Sequence, residues 1–284
     1  MDQLFLIFGA FYLGYAVLIA MGIRKDWVKL ESDWKDSLII PDRNEEQDLP
    51  RCLESLKKLD YPPDKLEIIL IDHCSTDNTA KLMYGFAEES VFDVKVVSIK
   101  EITEKSCKAE ALRAGLKEAS GDIYAFTDAE AILPPLWLQN MAGRISAGTD
   151  VSGGFILVEA DNFFQRLQKL DWLMLCSVGA GLAGIKAPQS VFGKNMVIRR
   201  ETYEKCGGFS EGKIWTEDSD IIKKCRRIKA EIDMHLDPAT AVASLPEDSF
   251  KGFLRQRLRW LKGSHDMDTA GYAAIFAGLT ADIG

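Results

Sequence analysis

Histidine is scarce and cysteine is scattered in this chain. The three histidines, His73, His235 and His265, are too dispersed to propose a histidine metal site. The six cysteines, Cys52, Cys74, Cys107, Cys176, Cys206 and Cys225, form no C-x-x-C pair, so neither a zinc ribbon nor a thioredoxin-like site is suggested. Isolated cysteines in a chain this long fit a reducing compartment. Positive charge is not in excess either. The formal net charge is -8 and the pI is near 5.1, which argues against a nucleic-acid partner. No G-x-G-x-x-G follows a strand-like run and no G-x-x-x-x-G-K-[ST] occurs, so a dinucleotide dehydrogenase and a P-loop hydrolase are excluded. Internal repeats and low-complexity tracts are also missing.

What is present fits one folded domain with a short appendage. At 284 residues, with 47% hydrophobic and 27% charged content, the chain has room for one sizeable α/β domain. Leu4 to Ile23 carries no charged residue, and a helix of about 20 residues is about 30 Å long, the thickness of a bilayer core. A cleaved signal peptide needs a basic start, but only Asp2 and Gln3 precede the apolar run. A buried core helix is the other alternative. Arg24, Lys25 and Lys29 follow the run, so the positive-inside rule places the remainder in the cytoplasm. The expectation is a single-pass cell-membrane protein: residues 1–24 as transmembrane anchor, 36–263 as the soluble domain, and 264–284 as an interfacial or truncated tail.

Apolar runs then alternate with helical patterns. Ser37 to Pro41, Leu66 to Ile71, Val94 to Ile99 and Asp122 to Thr127 read as strands, and Leu49 to Leu59 and Ala109 to Ala119 as helices. That rhythm predicts a mostly parallel sheet with helices on both faces, whose ligands bind beyond the carboxyl ends of the strands. Pro41, Asp72 and Asp128 fall at three such ends. Gly179 to Gly184 reads as a flexible loop over the site. Arg199 and Arg200 read as surface residues, and Lys223, Lys224, Arg226, Arg227 and Lys229 as a solvated helix face.

Four patterns carry chemistry. They are Pro41-Asp-Arg-Asn-Glu45, Asp72-His-Cys-Ser-Thr-Asp77, Asp128-Ala-Glu130, and Thr216-Glu-Asp218 with Gln256-Arg-Leu-Arg-Trp260 downstream. Lys108 lies between the second and third. Singly each has a plain structural reading. Asp72 can be a cap, Glu45 a first-turn helix carboxylate, Trp260 a core residue, and Arg255, Arg257, Arg259 and Lys262 a solvated face. In this order the set resembles the family 2 glycosyltransferases of the GT-A fold. Within them it is most similar to the Q-x-x-R-W branch, which includes cellulose, chitin and hyaluronan synthases and ceramide glucosyltransferase.

The resemblance covers about residues 36 to 263, and it implies a membrane-bound hexosyltransferase that uses a UDP-sugar. It assigns Pro41, Arg43, Glu45 and Asp72 to the uracil and ribose, and Lys108 to the nucleotide. It assigns Asp128 and Glu130 to a Mg²⁺ or Mn²⁺ ion on the diphosphate, and Gln256, Arg259 and Trp260 to the diphosphate and acceptor. Asp218 is then the general base that takes the proton of the attacking hydroxyl, with inversion at the anomeric carbon. Gly193-Lys-Asn-Met196 and Gly207-Gly-Phe209 resemble an acceptor-side loop. The sequence departs from the family at His73 and Cys74, at Glu130 and at Cys107, which bears on rate and metal preference more than on fold. A lipid or lipid-linked acceptor is the leading expectation. A processive polysaccharide synthase module and a non-catalytic nucleotide-sugar scaffold are the alternatives.

Overall fold

The computed structural model describes residues 13–14, 16–17, 19–23, 34–100, 108–212 and 216–263. Strands β1 (Asp36–Asp42), β2 (Leu66–His73), β3 (Asp93–Ile99) and β4 (Ile123–Phe126) pair in parallel in the order β3-β2-β1-β4. The sheet continues through β7 (Met196–Arg199), β5 (Val151–Gly153) and β8 (Ile232–Met234), and β7 alone runs against the rest. Beside it, β6 (Ile156–Val158) and β9 (Val242–Ser244) form a small parallel pair.

Helices cover both faces, as the alternation predicts. Along β1, Leu38 and Ile40 enter one core with α1 (Leu49–Leu56), α2 (Thr79–Glu89) and α4 (Trp137–Ser146). Ile39 turns to the other core with α3 (Lys108–Leu116) and α7 (Glu217–Arg227). Burial on both faces is why Leu66 to Ile71 reads as an unbroken apolar run. The chain leaves β1 toward β2 and later returns to β4 on the opposite side, so a crevice opens where their carboxyl ends diverge. Asp42, Asp72 and Asp128 all lie at that edge.

Gly179 to Gly184 is not a loop. It is the last turns of α5 (Phe163–Gly184), a helix opened by a capping box between Asn162 and Gln165. The glycines there serve close packing. A Cβ on Gly181 would lie 2.7 Å from the Ile19 carbonyl oxygen, and one on Gly184 would lie 1.7 Å from that of Gly22. α6 (Arg200–Lys205) follows β7, and α8 (Phe250–Gly263) follows β9.

The predicted anchor, Leu4 to Ile23, lies largely outside the described residues, within which 13–14, 16–17 and 19–22 are helical. Among the described residues no helix is long and apolar enough to cross a membrane. Residues 264–284, the predicted tail, lie outside the described set. Arg199 is not a free surface residue, because its guanidinium lies 4.5 Å from the Trp34 ring centre and donates to the Ile145 carbonyl at 2.8 Å. Lys224 departs from the solvated face and donates to the Gly208 carbonyl at 2.6 Å.

Candidate active site

The loops after β1 and β2 are bolted together. Asn44, in a left-handed conformation (φ 58°), accepts from the Thr76 amide at 2.8 Å, and the Glu45 amide donates to Thr79 Oγ1 at 2.8 Å. Asp72 is buried and accepts from the Ser75 amide at 3.0 Å, so part of its capacity goes to shaping this turn. Cys74 also takes a left-handed φ of 59°, and its amide and thiol both donate to the Ile99 carbonyl. A non-glycine residue adopts that conformation at a cost that glycine does not bear.

Across the crevice, Lys108 opens α3 and joins two acids. Its Nζ lies 2.5 Å from Asp128 Oδ1 and 3.2 Å from Glu217 Oε1. Glu130 pairs with Lys194 and accepts from Ser244 Oγ at 3.0 Å. Asp218 sits in the first turn of α7 and accepts from the Ser219 amide at 2.7 Å and the Gly193 amide at 3.3 Å. Lys108, Asp128, Glu217 and Asp218 therefore meet in one place although up to 110 residues separate them.

Their charge states follow from that crowding. Burial pushes the Asp128 carboxyl up, but Lys108 and Lys194 outweigh it and hold its pKa below the usual range. Burial, then the charge of Glu217, raises Asp218 to about 6. Burial, then Glu130, raises Glu45 to about 7. Asp42 is the extreme case. It is 3% exposed, and neither carboxyl oxygen has a hydrogen-bond donor among the described residues. Burial, then Glu45, Asp128 and Asp72, pushes its pKa well up.

The predicted residues do not all face the crevice. Pro41 is half-buried and Arg43 exposed on the β1 loop. Gln256 donates to Glu247 Oε1 at 3.0 Å. Trp260 packs edge-on against Trp172 with ring centres 5.2 Å apart, which is its core reading, and Arg257 stacks over it. Arg259 is exposed, and its charge still reaches Asp128. Sequence reasoning did not single out Asp42, Lys194 or Glu217. Each stands inside a motif already quoted, but burial and pairing depend on which strands are neighbours.

Among the described residues no three histidine, cysteine or acidic side chains are already grouped to hold a metal. The donors present still fit one. Asp128 and Glu130 offer hard carboxylate oxygens, each now neutralised by an ammonium group, and diphosphate oxygens can complete a Mg²⁺ or Mn²⁺ shell.

A family model described as Glycosyl transferase family 2 matches residues 37–207. Three curated relatives illustrate the range. The chain is 27% identical over 236 residues to a probable glycosyltransferase, YdaM, of Bacillus subtilis, covering 81% of this chain and 55% of that one. It is 25% identical to a poly-β-1,6-N-acetyl-D-glucosamine synthase of Staphylococcus epidermidis, covering 81% and 55%. It is 24% identical to a β-monoglucosyldiacylglycerol synthase of Nostoc, covering 81% and 48%. The chain thus spans about half the length of the curated relatives it matches. A mannosyltransferase from Pyrobaculum calidifontis, solved with GDP-Man and Mn²⁺, shares the fold. Its TM-score is 0.71 at 20% identity, covering 98% of this chain and 84% of that one.

Proposed function

The chain belongs to glycosyl transferase family 2, and we propose that it is an inverting enzyme that moves a hexose from a UDP-sugar to the hydroxyl of a lipid or lipid-linked acceptor. The observation that carries this reading is the bridge of Lys108 between Asp128 and Glu217, which sets the base candidate Asp218 beside the donor-side acids. On this reading Pro41, Arg43, Glu45 and Asp72 take the uracil and ribose. Lys108 and Arg259 face the diphosphate, and Gln256 and Trp260 brace the helix that carries Arg259.

In the reaction, ionised Asp218 accepts the acceptor's hydroxyl proton as that oxygen bonds to the anomeric carbon. The bond from the anomeric carbon to the diphosphate breaks on the opposite face, and UDP leaves with both bonding electrons. A divalent cation held by Asp128 and Glu130 would, when bound, neutralise charge on the leaving diphosphate.

The membrane reading has separate support. Along α8, Phe250, Leu254, Leu258 and Leu261 repeat at helical spacing and stay exposed, Leu258 by 49%. Lys251 and Arg255 occupy the adjoining face. α5 exposes Phe163, Leu167 and Leu170 in the same way, and Phe164 holds the two helices together through Phe250 and Phe253. An apolar stripe edged by cations suits the surface of an anionic bilayer. With residues 1–24 as anchor and Arg24, Lys25 and Lys29 behind it, the domain 36–263 would work on the cytoplasmic face, with 264–284 as its interfacial tail.

A processive polysaccharide synthase module is the second reading, favoured by the likeness to poly-β-1,6-N-acetyl-D-glucosamine synthase. The test is to incubate membranes holding the protein with a panel of UDP-sugars and Mn²⁺, with and without lipid extract. UDP release that depends on lipid, with a single sugar per product, supports the first reading. Long glycan chains formed without added lipid support the second, and no release with any sugar contradicts both.

A further inference from the structure

We propose that Lys194 is a counter-ion that holds the Glu130 carboxylate until a divalent cation takes it, and that its freed ammonium then pairs with the donor's diphosphate. The inference rests on the reading of Asp128 and Glu130 as metal ligands and adds to it a residue with a role of its own.

Three contacts carry it. Lys194 Nζ pairs with Glu130 Oε1 and donates to Ser244 Oγ at 3.0 Å, while Ser244 Oγ donates to the same Glu130 oxygen at 3.0 Å. Lysine, serine and glutamate thus close a triangle on one carboxylate oxygen. The Lys194 side chain is only 14% exposed and lies 5.6 Å from the Trp172 ring centre, so this ammonium is not a solvated surface charge.

The two donors hold Oε1, and a cation taken up by either oxygen of Glu130 would sit beside the Lys194 ammonium, whose like charge opposes it. Metal and Lys194 therefore compete for Glu130 in the free protein. A bound diphosphate changes the balance, because it offers the displaced ammonium a new anionic partner and offers the metal further oxygen ligands. Metal and nucleotide then favour each other's binding, a coupling that must be reciprocal. The simpler role for Lys194 is a staple that fastens Ser244 of β9 to the turn after β4, and a staple competes with nothing.

The two roles differ in sign. In the full chain, Mn²⁺ binding is followed by paramagnetic resonance with and without UDP, for wild type, Lys194→Met, Ser244→Ala and Asp128→Asn. Without nucleotide, Lys194→Met is expected to bind Mn²⁺ roughly tenfold more tightly than wild type, the worth of one lost charged hydrogen bond. With Mn²⁺ present it is expected to bind UDP roughly tenfold more weakly. Ser244→Ala, which keeps both charges, should tighten Mn²⁺ binding in the free protein by a smaller factor. Should Lys194→Met fail to fold, that smaller tightening decides the matter, and its absence counts against the proposal. Wild-type affinities in Lys194→Met, alongside Mn²⁺–UDP binding that Asp128→Asn abolishes, would overturn the role of Lys194 and leave the metal reading standing. UDP binding without any Mn²⁺ uptake by wild type would instead overturn the metal reading and this inference together.

Discussion

The backbone amide of Gly193 donates to Asp218 Oδ2 at 3.3 Å, so the loop before β7 and the first turn of α7 meet at one carboxylate. That contact fixes Asp218 from outside its own helix. The neighbouring Asp220 is engaged elsewhere, accepting from the Ser210 amide at 3.2 Å and pairing with Lys224 at 3.4 Å.

The pH dependence of transfer follows from the environment of Asp218. Burial, then the charge of Glu217, raises its pKa from 3.8 to about 6. A base works only when ionised, so the rate should fall as pH drops through about 6 and level off above it. Glu217→Gln removes one of the raising causes and should move that limb to lower pH. Profiles of kcat/KM from pH 4.5 to 8.5 check both statements, and a rate that stays flat down to pH 4.5 contradicts them.

Glu67 should anchor the opposite edge of the sheet. Its carboxylate, with no exposed side-chain surface, accepts from Ser37 Oγ at 2.6 Å, from the Ser120 amide at 2.5 Å and from Lys95 Nζ at 2.8 Å. Burial alone would raise its pKa, but the bonds from Lys95, Ser37 and Ser120 bring it to about 2. A depressed folded-state pKa means that this stability is present above the unfolded value near 4.5 and is lost as pH falls toward 2. Glu67→Gln should cost about 3 kcal/mol at pH 7. Urea unfolding of both proteins at pH 7 and pH 3 tests this, and the gap should narrow at the lower pH.

The apolar stripe of α8 gives a binding test independent of chemistry. In a chain without the proposed anchor, residues 1–24, Leu254→Ser with Leu258→Ser should reduce flotation with vesicles containing anionic lipid, because each removes exposed apolar area and neither side chain is buried. Unchanged flotation of the double variant would remove α8 from the membrane contact.

Much of the domain was legible because β1, β2 and β4 are buried on both faces and so read as apolar runs. The later strands β5, β6, β8 and β9 were not, since three residues each are too few to show a period. Gly179 to Gly184 misled because glycine signals a loop and close helix packing equally well. At the site, the order of the motifs was readable, and the fold does gather Lys108, Asp128, Glu130 and Asp218. The pairing of Lys194 with Glu130 was not readable, because it exists only through the adjacency of β4, β7 and the β6–β9 pair. The turning of Trp260 onto Trp172 likewise depends on how α8 lies against α5.

The most direct test compares Asp218→Asn with Asp220→Asn in single-turnover sugar transfer, with UDP affinity measured on the same samples. Asp218→Asn should slow transfer by roughly a hundredfold or more while UDP binds nearly as in wild type, and Asp220→Asn should leave most of the rate. Near-normal transfer by Asp218→Asn, with the loss falling on Asp220→Asn instead, would contradict the assignment of the base.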